Sequence, residues 1–211
     1  VKVIGFEEHY KFPAIFDAHH NDAGASALDR LEQAGYVRAG AGGESPPGIS
    51  DLGEGRIAAM DAAGIDVQIL SHTVPGPETL APAAAVELAR QANDAVAEAV
   101  AKYSGRFLGF ATLPMRNPAA AAEELERVVR DHGFVGALIN GHVNGRYLDD
   151  SFFWPVFEIA EKLRVPIYLH PTIPPQRVID ACYRGIEPLV SARLAAAGAG
   201  RHIDTGSTVC A

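Results

Sequence analysis

The chain opens V-K-V-I-G-F-E-E-H-Y, an apolar run that leads directly into Glu7, Glu8 and His9. Alternate residues of a strand face opposite sides, so Glu7 and His9 share one face and Glu8 takes the other. An E-x-H pair placed this way offers a carboxylate oxygen and an imidazole nitrogen to one ion. A further donor, His170, closes a second apolar run, V-P-I-Y-L-H. One carboxylate and two imidazoles suit Zn²⁺, with Mn²⁺ or Fe²⁺ as alternatives. The same residues also read as solvated or hydrogen-bonded turn groups, and spacing alone leaves both readings open. Ser71-His72 and Asn140-Gly141-His142 end other apolar runs and carry turn or hydrogen-bonding readings first. His19 and His20 fall in a polar stretch and are expected to face solvent. Arg146 is expected on the surface, and Phe152, Phe153 and Trp154 in the core.

The elements that must position these residues alternate in type. Residues 1–6 form a short apolar strand, and 10–50 read as an irregular connection that holds Gly, Pro, Asp and Asn. A stretch this long is expected to be a loop or lid after the first strand. Asp51-Leu-Gly-Glu54 resembles a capping box, and the helix it opens stops at Gly64. A strand at 67–71 and a helix at 83–103 follow. The helix carries Ala85, Leu88, Ala89, Ala92, Val96, Ala99, Val100 and Tyr103 at the spacing of one face. Then come a strand at 107–113 and a helix from Asn117-Pro118 to about residue 132, with Asn as cap and Pro in the first position. A strand at 135–139, a helix capped by Asp149 or Asp150 and running to 163, and a strand at 165–169 complete the pattern. Strands apolar on both faces, alternating with helices, predict an α/β fold with a parallel sheet. An open doubly wound sheet and a (β/α)₈ barrel both satisfy that pattern. In either, chemistry gathers at the C-terminal ends of the strands.

The composition is that of a water-soluble globular domain, 48% apolar and 21% charged, and the net charge of −8 argues against a nucleic-acid binder. No G-x-G-x-x-G follows the first strand and no G-x-x-x-x-G-K occurs, so nucleotide-binding versions of the fold lose support. No apolar run is long enough to span a membrane and no signal peptide is visible. Two cysteines, Cys182 and Cys210, with no C-x-x-C, point to a reducing cytoplasm.

Seven stretches taken together carry a more specific signal. They are E-E-H-Y at the start, M-D-A-A-G-I-D-V-Q-I-L-S at 60–71, R-Q-A-N-D at 90–94 and R-F-L-G-F-A-T-L-P at 106–114. G-F-V-G-A-L-I-N-G-H at 133–142, G-R-Y-L-D-D at 145–150 and V-P-I-Y-L-H-P at 165–171 complete the set. In this order they resemble the amidohydrolase-2 family of the amidohydrolase superfamily. Its decarboxylase branch includes enzymes acting on γ-resorcylate, 2,3-dihydroxybenzoate, 5-carboxyvanillate and aminocarboxymuconate semialdehyde. The resemblance implies a (β/α)₈ TIM barrel with one divalent metal, most often zinc, with manganese as the alternative. It places Glu7, His9 and His170 as metal ligands. It implies a metal-dependent carboxy-lyase acting on an aromatic or muconate-type carboxylic acid, with a hydrolase of the same family as the alternative. It further implies a homo-oligomer, dimer or tetramer, with no nucleic-acid or membrane partner.

One departure qualifies that expectation. The family supplies a proton-transfer histidine and a metal-binding aspartate from later strands, in G-H-x-G-E-like and S-x-D-W-P-like blocks that do not occur here. A complete barrel of this kind takes ~250 residues. The sequence therefore reads as an incomplete barrel of about the first five strands with their helices, one truncated domain over 1–211, with a frameshift, an early stop or a truncated gene model as the expected cause. On that reading a non-catalytic fragment is the remaining alternative.

Overall fold

The computed structural model describes residues 1–21 and 48–172, and beyond them only residues 175, 177, 178 and 181. Residues 1–21 and 48–172 lie in one compact unit, Val1–Asp22 with Pro46–Thr172. Cys182, Cys210 and most of the connection after the first strand lie outside the described residues.

The sheet is built from β1 (Ile4–Tyr10), β2 (Val67–His72), β3 (Phe107–Ala111), β4 (Gly136–Asn140) and β7 (Ile167–His170). Every pairing in it is parallel. The strand order follows the chain, β1-β2-β3-β4-β7. A doubly wound sheet reverses direction at a switch point, whereas a barrel adds each strand beside the last. The sequential order selects the barrel path, and five strands trace part of one.

Helices α2 (Glu54–Ala63), α3 (Pro82–Lys102), α4 (Pro118–His132) and α5 (Trp154–Leu163) join successive strands. Their ends follow the sequence signals. Asn117 Oδ1 accepts from Ala120 N at 3.3 Å, the cap expected for α4, a contact worth ~1 kcal/mol. Gly64 and Gly133 close α2 and α4 in the left-handed region, which glycine enters at little cost. Pro155 sits in the first turn of α5, where its missing N–H breaks no helical bond.

Side chains divide between the two faces of the sheet. On one, Leu70, Phe107, Ala111, Ala137 and Ile139 are buried with helix residues such as Met60, Val96, Leu125, Val128 and Val156. On the other, Ile69, Phe110 and Leu138 form a separate cluster with Leu108, Val135 and Tyr168. Phe6 joins that second face, edge-on to Phe110 at 5.4 Å and to Tyr168 at 4.9 Å. Because β1 and β7 are the two edges of the sheet, a Phe6–Tyr168 contact requires this face to be concave. It is the interior of the partial barrel.

Several local expectations are corrected. The first strand does not stop at residue 6 but runs through Glu7, Glu8 and His9 to Tyr10, because its end pairs along β2 past a bulge between Gly5 and Glu8. The stretch after it begins with a helix, α1 (Pro13–Asn21), which buries Ile15 and Phe16. Residues 22–47, the rest of the expected loop or lid, lie outside the described residues. Asp51 does not cap α2. Its Oδ1 accepts from Gly53 N at 2.7 Å, and Gly53 itself is the cap residue. Asp150 caps a short 3₁₀ turn, Ser151–Phe153, that leads into α5. Asn144-Gly145, read as a turn, is the two-residue loop of a hairpin between β5 (His142–Val143) and β6 (Arg146–Tyr147), with φ of 52° and 75°. Positive φ at both loop positions fits the twist of the flanking strands.

Candidate metal centre at the strand ends

Glu7 and His9 come from β1 and His170 from β7, the opposite edge of the sheet. Each offers one donor atom, and the three atoms all lie within 4.8 Å of one another. Glu7 Oε1 stands 3.0 Å from His170 Nε2 and 3.7 Å from His9 Nε2. The two imidazoles meet edge to face, with ring centroids 5.1 Å apart. The sequence-derived trio is thus brought together at the C-terminal mouth of the partial barrel.

The bulge in β1 makes this possible. Glu7 has φ 67°, in the left-handed region that a residue with a side chain enters only at a cost of ~1–2 kcal/mol. A bulge adds a residue to one strand and re-aims the side chains beyond it. Phe6 and Glu7, although adjacent, both reach the concave face, whereas Glu8 turns to the helix side. There Gln68 Nε2 donates to Glu8 Oε2 at 2.7 Å. Burial raises the pKa of Glu8, and the Arg56 guanidinium opposes the shift. The Glu8 carboxylate lies over Gly5, in the space that a Cβ at Gly5 would occupy.

Two groups behind the trio were not legible in the sequence. Ser71 Oγ lies 3.1 Å from His9 Nδ1, and Tyr168 O–H donates to Glu7 Oε2 at 3.0 Å. A proton on His9 Nδ1 shared with Ser71 leaves Nε2 with a free lone pair facing the other donors. Desolvation lowers the pKa of His9, and the neighbouring His170 lowers it further. Desolvation likewise lowers the pKa of His170. Both rings are therefore held neutral near pH 7, the form in which imidazole binds metal. Tyr168 has its pKa raised, first by desolvation and then by Glu7, so it stays a proton donor to the carboxylate. One hard oxygen and two imidazole nitrogens, with Glu7 and His9 braced from behind, form a donor set that fits a divalent ion.

The other sequence candidates fall elsewhere. His72 lies on the helix side, where Phe12 N donates to its Nε2 at 3.3 Å and its ring meets Tyr10 at 5.3 Å. Burial pushes its pKa down to about 3. It is a core histidine. His142 accepts from Gly145 N at 3.2 Å inside the hairpin. His19, expected in solvent, is buried, and its Nε2 lies 3.0 Å from Gly76 O, because α1 folds that side chain against the turn after β2. The side chain of His20 lies outside the described residues. Arg146 is on the surface, stacked over Phe152 at 4.6 Å and 3.5 Å from Asp150. Phe153 is in the core as expected. Phe152 and Trp154 are not, since they flank it on the outward side of the 3₁₀ turn and the start of α5.

A polar recess adjoins the mouth. Asn140 pairs in register with His170, and its Nδ2 donates to Glu78 Oε1. Burial raises the pKa of Glu78. Asn140, Glu78, His72 and Thr112 help to line a cavity of about 20 Å³, room for about one water molecule.

Comparison with known proteins identifies the family. The amidohydrolase family profile matches residues 15–201. The γ-resorcylate decarboxylase of Polaromonas sp. (strain JS666) is 42% identical over 151 residues, which cover 68% of this chain and 46% of that one. The decarboxylase orsB of Emericella nidulans is 37% identical over 213 residues, 97% of this chain and 57% of that one. Among solved structures, the 5-carboxyvanillate decarboxylase of Novosphingobium aromaticivorans is 36% identical with a TM-score of 0.73. The alignment covers 92% of this chain and 55% of that one, and that structure holds manganese and 4-hydroxy-3-methoxy-5-nitrobenzoic acid. The chain spans about half the length of these relatives. Matched over most of its length by the family profile and by relatives of this identity, the chain belongs to the amidohydrolase family.

Proposed function

We propose that this chain carries the ion-binding part of a carboxy-lyase that removes CO₂ from an aromatic or muconate-type carboxylic acid. Glu7, His9 and His170 hold one divalent ion, zinc or manganese. The observation that carries this reading is the convergence of one carboxylate and two neutral imidazoles from opposite edges of the sheet. The relatives at this level of identity that are named decarboxylases, one of them holding manganese, support it.

A divalent ion in such a site supplies Lewis-acid polarisation and fixes the orientation of an acidic substrate. The chain's own residues have separable tasks. Glu7 and the two histidines set the position of that charge, and Ser71 and Tyr168 fix the rotamers of His9 and Glu7. Phe6, Phe110 and Tyr168 form an aromatic cluster on the same concave face as the trio. Decarboxylation of an aryl acid breaks the ring-to-carboxylate bond and forms a ring C–H bond, consuming one proton and releasing CO₂.

No helix among the described residues is long and apolar enough to cross a membrane. A cytoplasmic setting, a dimeric or tetrameric assembly, and a lid formed by the connection 10–50 belong to the same proposal.

The test is to supply the full chain with Mn²⁺ or Zn²⁺, measure bound ion, and assay hydroxylated benzoates for CO₂ release. One ion per chain, lost in Glu7→Gln and His170→Ala, supports the metal reading, and CO₂ release establishes the lyase. Acid release from an ester or amide without CO₂ would assign the hydrolase instead. A wild-type chain that takes up no ion at high micromolar metal would overturn the reading.

A further inference from the structure

We infer that Arg56 is a positioning residue for the candidate ion site, acting through the backbone of His9 and touching none of the three donor side chains. The inference rests on the proposed role of Glu7, His9 and His170.

Strand β1 needs such a restraint. Among the described residues it pairs with β2 alone, and its ladder to β2 breaks at the bulge between Gly5 and Glu8. The residue inside the bulge, Glu7, is itself a donor. The backbone at Glu7 and His9 is thus held by fewer ladder bonds than a central strand would supply.

Arg56, in the first turn of α2, fills that gap from the helix side. Its guanidinium makes four hydrogen bonds. Nε donates to Asp51 O at 2.7 Å, Nη1 to Gln68 Oε1 at 3.2 Å, and Nη2 to His9 O at 3.0 Å and Ile49 O at 3.1 Å. The Gln68 amide passes the restraint on, since its Nε2 donates to Glu8 Oε2 at 2.7 Å. One rigid planar group therefore holds His9 through its carbonyl and Glu8 through Gln68. Lys11 N donates to the same Ile49 carbonyl at 3.2 Å, which ties the strand end to the segment entering α2. A planar fork with fixed donor directions defines position better than the single point charge of lysine. Ligand geometry must hold to within ~0.5 Å for an ion site to function.

This gives the middle residue of E-E-H a task of its own. Glu7 and His9 face the barrel interior, and Glu8 anchors the same three residues to the scaffold on the far side. It also predicts that the effect of Arg56 falls on the end of β1 and on Gln68 of β2, and not on His132 at the end of α4, whose Nε2 lies 3.1 Å from Arg127 Nη1.

The experiment compares wild type, Arg56→Met and Arg56→Lys as full chains. Far-ultraviolet circular dichroism selects a temperature at which each is natively folded. The imidazole NMR signals of the metal-free proteins are then recorded at fixed pH, and Mn²⁺ affinity is measured by electron paramagnetic resonance. The expected result for Arg56→Met is a displaced His9 ring signal, an unmoved His132 signal and Mn²⁺ binding weaker by ~10-fold or more, with Arg56→Lys in between. A His9 signal and an Mn²⁺ affinity equal to wild type would overturn the inference. If Arg56→Met does not fold, Arg56→Lys decides by the same two readouts. If wild type binds no Mn²⁺, the ion reading fails on its own, and the His9 ring signal alone decides whether Arg56 positions that side chain.

Discussion

The Tyr168 hydroxyl donates to Glu7 Oε2 at 3.0 Å across 161 positions of sequence, although the strands that carry them are opposite edges of one sheet. That bond spans the mouth of the partial barrel. It leaves Oε1, the other oxygen of the same carboxylate, to face His170 and His9. Tyr168→Phe is therefore expected to leave the fold intact and to weaken divalent-ion binding by about 10-fold, the usual size of an outer-shell loss. Glu7→Gln is expected to weaken it by substantially more. Calorimetric titration of both variants with Mn²⁺ and Zn²⁺ checks the ranking, and equal losses would contradict the division of labour between the two oxygens.

The completely buried Asn93 of α3 serves the backbone after β3 as a substitute strand neighbour. Its Oδ1 accepts from Thr112 N at 2.8 Å, while Nδ2 donates to Thr112 O at 2.9 Å and to Glu124 Oε1 at 2.8 Å. Asn93→Leu takes this partner from Thr112 N and Thr112 O, while Glu124 Oε1 keeps Arg127 Nη2 at 2.7 Å. A loss of about 2–4 kcal/mol is expected, since each such group costs ~1–3 kcal/mol and part of the cost relaxes. Urea denaturation measures it, and a change below ~1 kcal/mol would show that the network is replaceable.

His72 sets an acid limit. Its ordinary pKa of 6.5 applies in the unfolded chain, and burial lowers the folded value to about 3. Between those values the unfolded state binds the extra proton, so stability is complete above pH 6.5 and falls as the pH drops towards 3. The slope in that window is ~1.4 kcal/mol per pH unit for one proton. Glu78, with its pKa raised, acts in the opposite sense, since its contribution is lost as the pH rises through its range. His72→Phe is expected to flatten the acid side of a plot of urea midpoint against pH. An unchanged slope would assign the acid sensitivity elsewhere.

Gly136 begins β4 where the backbone of β7's entry comes closest. A Cβ there would run into Pro166 O, a contact that rigid backbone cannot relieve by rotating a side chain. Gly136→Ala is expected to cost about 2–3 kcal/mol, and to disturb His170 through the β4–β7 ladder. Thermal unfolding of the metal-free chain reads the first effect, and the His170 imidazole resonance reads the second.

Much of this architecture could be read from sequence because its punctuation is strong. Asn117-Pro118 and Gly133 bracket α4, Gly64 ends α2, and the paired directions of Glu7 and His9 follow from strand alternation. The bulge could not be read, since one inserted residue leaves the E-x-H spacing intact and shows itself only in the facing of Phe6 and the φ of Glu7. Helix α1 is obscured in the sequence by the Gly- and Ala-rich stretch that follows it, and with it the burial of His19. Ser71, Tyr168 and Arg56 are single residues whose importance depends on register between strands. Tyr168 alone left a trace, two positions before His170 and hence on the same face.

The bulge at Gly5–Glu8 also has a consequence for mutability. It divides β1 into two lengths whose facings are set independently. Phe6, before it, belongs to the aromatic cluster, and His9, after it, belongs to the donor set. The cluster can be reshaped for a larger or smaller ring at position 6 without rotating the histidine at position 9. On the proposed reading, the bulge is a hinge between two modules, one free to vary with the packing of the aromatic cluster and the other held to the chemistry of an ion.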